Sequence, residues 1–163
     1  MFLGIDPGVR KLGYAIVDQI WSQLKVIDAG VIVDLEVQTV DRSCYYDRIS
    51  QIFDFMTNIL NSYQIDVLAI EKLFFTIYNQ SNAEFVYAVR GMICMMAYRK
   101  QILILEPTPV QLKKAITGHA KANKELMISM IMRLYHLTDT PQYHDSADAL
   151  WLALYACRLS GRA

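Results

Sequence analysis

The chain opens on an unbroken apolar run, Phe2-Leu3-Gly4-Ile5, closed by Asp6 and the turn pair Pro7-Gly8. A run this short, without helical spacing, predicts a strand over 2–6 that is buried on both faces. Similar runs at 13–18 and 24–33 ("LKVIDAGVIV") predict two further strands, joined by short turns into an antiparallel meander. The period then changes. Over roughly 43–62, Ile49, Ile52, Phe53, Met56, Ile59 and Leu60 recur at three-and-four spacing, which predicts an amphipathic helix with these residues inward. "DVLAIE" (66–71) reads as a strand, 82–98 as a helix and "ILIL" (102–105) as a strand. Thr108 as N-cap with Pro109 at the first helical position starts a helix that stops at Gly118. A helix near 122–135 would bury Leu126, Met127, Met130, Ile131 and Leu134. After a loop marked by Pro141, a last helix over 145–159 would bury Leu150, Ala153, Leu154 and Cys157. A meander followed by alternating helices and strands describes an α/β sheet with helices on its faces.

No repeat or linker divides the 163 residues, so a single domain over 1–163 is predicted. A hydrophobic fraction of 54% excludes a disordered chain. The most apolar segment, "FVYAVRGMICMMAY", carries Arg90 at its middle, so it reads as a buried helix and not a membrane span. Asp6 follows the start at once, with no basic leader, so no signal peptide is expected. The three cysteines (Cys44, Cys94, Cys157) are odd in number and form no CxxC pair. That predicts a reducing, cytoplasmic setting with neither zinc nor disulfides. Net charge is zero, yet the charges are segregated. Arg99, Lys100, Lys113, Lys114, Lys121 and Lys124 stand against Glu106 alone between 99 and 124. Such a segment either binds phosphates or is a solvated lysine-rich face.

Acids end two of the predicted strands, Asp6 in "GIDPG" and Glu71 in "VLAIEK". In an open α/β sheet, ligands bind beyond the carboxyl ends of the strands. If the two strands are parallel neighbours, both acids meet at one edge, where a hard divalent cation such as Mg²⁺ would offset their repulsion. In "YHDSADALW", Asp145 and Asp148 share a helical face in its first turn. Alone, they read as an N-cap and a favourable first-turn charge. Together with Asp6 and Glu71 they make four carboxylates, a set that can hold two Mg²⁺ ions for phosphodiester hydrolysis by water. His144 adjoins this set and is left outside it.

"LGIDPGVRKLGYAIV" (3–17), "AIEKLFF" (69–75), "AVRGM" (88–92), "PTPVQLKKAITG" (107–118) and "DSADAL" (145–150) resemble, in order, the motifs of the RuvC family of bacterial Holliday-junction resolvases. The resemblance implies a ribonuclease H-like fold, with a mixed five-stranded sheet flanked by helices. It implies a homodimer that nicks four-way junction DNA in pairs with Mg²⁺ (Mn²⁺ as a substitute), through a tetrad falling on Asp6, Glu71, Asp145 and Asp148. It also implies RuvA and RuvB, the branch-migration helicase, as partners. Phe74 matches an aromatic that the family sets against bases opened at the crossover, and Lys113 and Lys124 match its phosphate-contacting lysines. Lys114 and Lys121 are candidate unspecific phosphate contacts. Arg90 matches an arginine in a helix read here as structural, whose methionine-rich face suits the core or a dimer interface. Ala120 stands where the family often has glycine, and Leu126 where glutamine is common. The alternatives are a nuclease of broader branched-DNA taste, which cuts flaps and forks, and a junction-binding module with idle carboxylates. An actin-like ATP site, which "GIDPG" also resembles, needs a second subdomain for which 163 residues are too few.

Overall fold

The computed structural model describes residues 1–8, 11–21, 23–33, 44–73, 80–140 and 144–160. Its elements are β1 (Phe2–Pro7), β2 (Lys11–Ile20), β3 (Gln23–Val33), α1 (Tyr45–Ser62), β4 (Val67–Ile70), α2 (Gln80–Arg99), β5 (Leu103–Leu105), α3 (Pro109–Thr117), α4 (Lys124–Leu134) and α5 (His144–Leu159). They form one five-stranded sheet in the order β3-β2-β1-β4-β5. The meander is antiparallel, while β4 and β5 run parallel to β1. β1 therefore lies at the centre. Its apolar run without alternation is what a strand covered on both faces requires.

Strand side chains alternate between faces, and the two faces build two cores. Phe2, Ala15, Val17, Val67 and Ala69 pack against α3, α4 and α5. Leu3, Ile5, Leu12, Ile16, Leu68 and Ile70 pack against α1 and α2. The buried Arg48 of α1 stacks its guanidinium 5.5 Å from the Phe85 ring of α2, which joins the two helices on that side.

β2 is longer at both ends than the predicted 13–18, because its ladder with β3 continues to the Ile20–Gln23 pair past a bulge at Ile16/Val17. α3 has the predicted bounds. Thr108 accepts from the Gln111 amide at 3.2 Å, the Gln111 side chain accepts from the Thr108 amide at 2.9 Å, and Gly118 ends the helix at φ 79°. α4 starts two residues later than predicted, since the Asn123 side chain caps it by accepting from Leu126. Two inward assignments are corrected. Phe53 is 45% exposed and Leu126 is 38% exposed. The buried stripe of α1 runs through Ile52, Met56, Ile59 and Leu60, which turns Phe53 outward; that of α4 runs through Met127 and Ile131, which leaves Leu126 at its margin. Among the described residues no helix is long and apolar enough to cross a membrane.

Candidate active site at the carboxyl edge of the sheet

The alternation that builds the cores also sorts the acids. Asp6 has the parity of Phe2 and Gly4, and Glu71 that of Val67 and Ala69, so both are directed to the α5 face. β1 and β4 are parallel neighbours in the register Ile5–Ile70, and one step further Asp6 comes level with Glu71. The condition placed on these strands from sequence is met.

Two glycines bring α5 down onto this edge. A Cβ on Gly4 would lie 2.0 Å from the Ala149 carbonyl oxygen and 2.5 Å from the Ala153 amide nitrogen. A Cβ on Gly13 would lie 2.1 Å from the Asp145 carbonyl oxygen. Gly13 is also the register partner of Asp6. Backbone thus rests on backbone, and the first turn of α5 is laid over Gly13 of β2, beside the end of β1. α5 begins at His144, so Asp145 sits within the first turn and does not cap it. Gly4 and Gly13 set how closely α5 approaches the sheet, and the hydrophobic pattern carries no trace of either. The available signal was glycine inside a strand, which marks close backbone approach.

The electrostatics report this convergence. The Asp6 carboxyl is pushed from 3.8 up to about 7, first by burial, then by the charges of Asp148, Glu71 and Asp145, with Lys124 acting in the opposite sense. Glu71 is also raised, by burial and then by Asp148. All four acids named from sequence therefore act on one point. Among the described residues, no three His, Cys, Asp or Glu side chains close into a tight metal-binding group. The donor chemistry nevertheless fits a hard divalent cation. The charges acting on Asp6 to raise it are all carboxylates, Asp148, Glu71 and Asp145, the oxygen donors that such a cation prefers.

Lys124 holds its Nζ 3.9 Å from Asp148 Oδ2, at the first turn of α4. A cation is disfavoured by the helix dipole at an N-terminus, so the acid cluster is what favours it there. Lys113 is half-buried on α3, whereas Lys114 and Lys121 are exposed. α3 is tied to α5 by the Arg158 guanidinium, which donates to the carbonyl oxygens of Ala115 and Ile116. Phe74 lies outside the described residues, as does the His144 side chain.

A mixed sheet in this order, with helices on both faces and acids gathered over the end of its central strand, is the ribonuclease H-like fold of the junction resolvases. Residues 2–156 match the family model "Crossover junction endodeoxyribonuclease RuvC". The chain belongs to the RuvC family. A RuvC of Halothermothrix orenii is 34% identical over 154 residues, which cover 94% of this chain and 90% of that protein. The Thermus thermophilus RuvC structure superposes with a TM-score of 0.80 at 25% identity, covering 99% of this chain and 96% of the other. T. thermophilus RuvC in complex with Holliday junction substrate superposes at 0.82 and 24% identity, covering 100% and 98%.

Proposed function

We propose that this chain is a Holliday-junction resolvase that cuts four-way DNA by paired, Mg²⁺-dependent hydrolysis of phosphodiesters in DNA recombination and repair. The observation that carries this reading is the convergence of Asp6, Glu71, Asp145 and Asp148 over the end of β1, in a chain of the RuvC family. These four would hold the magnesium, two ions per site, with Mn²⁺ as a substitute. When bound, the metal supplies a deprotonated water at neutral pH and neutralises the departing 3′-oxygen. The carboxylates fix where positive charge is held, and the backbone contact between Gly13 and Asp145 fixes their spacing.

The DNA is held by other groups. Lys113, Lys114, Lys121 and Lys124 provide phosphate contacts on α3, on α4 and between them. The amino end of α4, capped by Asn123, adds a dipole that favours phosphate beside the acids. Phe74 stacks on a base opened at the crossover. The working unit is a homodimer, since a two-fold substrate calls for a two-fold enzyme. Its supporting feature is the exposed stripe Ala88, Gly91, Met95 and Tyr98 on α2, spaced as helices that pack together require. RuvA and RuvB present the junction. The odd number of cysteines, Cys44, Cys94 and Cys157, and the lack of a CxxC pair support work in the reducing cytoplasm.

The test incubates the protein with a labelled mobile four-way junction, linear duplex, flap and fork, with and without Mg²⁺. Symmetric Mg²⁺-dependent nicks confined to the junction support the proposal. Equal cutting of all branched substrates removes the junction specificity, and junction binding without cutting removes the nuclease.

A further inference from the structure

Arg90 lies on α2, on the opposite side of the sheet from α5. Its Nε donates to the main-chain carbonyl oxygen of Glu71 at 3.3 Å, while its terminal nitrogen donates to the Glu106 carboxylate. Two neighbouring bonds hold the same stretch. The Tyr87 hydroxyl donates to the Leu73 carbonyl oxygen at 3.4 Å, and the Lys72 amide donates to the Pro107 carbonyl oxygen at 2.9 Å. Successive backbone groups of 71, 72 and 73 are therefore pinned from both sides, at the point where β4 has ended and sheet bonding no longer fixes the chain.

Glu106 follows β5 as Glu71 follows β4, so a third acid ends a strand at this edge. Its parity differs. Glu106 shares the face of Ile104, which packs with the α1 and α2 core, whereas Glu71 is directed to α5. Alternation sends Glu106 to the side where Arg90 waits, and away from the four carboxylates. Arg90 in turn touches Glu71 through its peptide and leaves the carboxylate to face α5. One turn along α2, burial pushes the Cys94 thiol up, and Arg90 and Glu106 act on it in opposite senses, as a charge pair does.

We propose that Arg90, braced by Glu106, is a positioning residue: it fixes the Glu71 peptide so that the Glu71 carboxylate is presented to the metal site formed with Asp6, Asp145 and Asp148. This rests on the metal reading above. The role depends on shape. A planar guanidinium can hold the carbonyl and the carboxylate at fixed angles, which the single ammonium of lysine cannot do. Groups that orient metal ligands from behind typically change metal affinity or activity by about 10–100-fold when removed.

The test measures Mn²⁺ binding by calorimetry, junction affinity in EDTA, nicking rate against Mg²⁺ concentration, and thermal midpoint, for wild type, Arg90→Lys, Glu106→Ala and Glu71→Gln. Arg90→Lys is expected to weaken Mn²⁺ binding about 10-fold or more, to raise the Mg²⁺ needed for half-maximal nicking by a similar factor, and to leave junction affinity within about twofold. Glu106→Ala should show the same signature, since the guanidinium loses its brace. Wild-type Mn²⁺ affinity in Arg90→Lys, beside a loss in Glu71→Gln, overturns the positioning role and leaves the metal reading intact. Wild-type Mn²⁺ affinity in Glu71→Gln overturns both. If Arg90→Lys lowers the thermal midpoint while its folded fraction binds Mn²⁺ normally, Arg90 is structural only.

Discussion

A single methyl group at Gly13 should separate catalysis from stability. In Gly13→Ala the new Cβ would sit 2.1 Å from the Asp145 carbonyl oxygen and 2.6 Å from its carbonyl carbon. Ordinary contact begins near 3.4 Å, so the amino end of α5 must withdraw by about 1.3 Å. Both partners are backbone, and no side chain can rotate to relieve the clash. Overpacking of this kind typically costs about 1–3 kcal/mol, against a total stability of about 5–15, so the variant should remain folded. Catalysis is more exposed. Misplacement of a reacting constellation by about 1 Å costs about 100-fold, near 3 kcal/mol in barrier. The assay is single-turnover nicking of a four-way junction at saturating protein and Mg²⁺, alongside urea unfolding and junction affinity in EDTA. Gly13→Ala should nick about 100-fold more slowly while binding the junction nearly as well. Gly4→Ala meets Ala149 and Ala153 deeper along α5, so it should lose more stability for a comparable loss of rate. If Gly13→Ala nicks within twofold of wild type, α5 is not seated by that glycine and the account of how Asp145 reaches the site is wrong.

Asp6 holds its proton to about pH 7 in the folded chain but releases it near 3.8 when unfolded, so between those values the native state binds more protons. Stability in metal-free buffer should therefore fall as pH rises through that window, by up to about 4 kcal/mol. Urea titrations at pH 5 and pH 8 would show it, Asp6→Asn should flatten the difference while abolishing nicking, and a stability rising with pH would contradict the burial of this acid. Lys113→Ala should weaken junction binding and lower the slope of log affinity against log salt by about 1, and an unchanged slope places the DNA elsewhere. Met95→Lys, on the exposed stripe of α2, should shift sedimentation from dimer to monomer and turn paired nicks into single ones; a dimer that persists locates the interface on another face.

α3 was legible because its boundaries are written in local chemistry, Thr108 before Pro109 at its start and Gly118 at its end, and the end of β1 is marked likewise by Pro7-Gly8 after Asp6. Asp6 and Glu71 were legible as a pair for a related reason, since an acid that ends an apolar run marks where a strand leaves the core. The descent of α5 onto β1 was not. Glycine carries no hydrophobic signal, and the contact between Gly13 and Asp145 joins residues far apart in the chain. Phe53 and Leu126 were assigned inward because each fits a helical stripe to within one position, and only packing decides which edge of a stripe is covered. Arg90 read as structural because its partners, Glu71 and Glu106, lie 19 and 16 residues away in opposite directions.

One rule of strand geometry accounts for the separation of the edge acids. Three strands end at this edge in or beside an acid, and without sorting Asp6, Glu71 and Glu106 would crowd together. The period of two sends Asp6 and Glu71 to the α5 face and Glu106 to the α2 face, where an arginine meets it. A shift of β5 by one residue would reverse this, adding a further negative charge beside Glu71 and leaving Arg90 without its brace. The register Ala69–Leu105 thus bears on the charge of the site as well as on the core. Selection on this short strand should act through both, since Leu103 is 55% exposed and contributes little burial of its own.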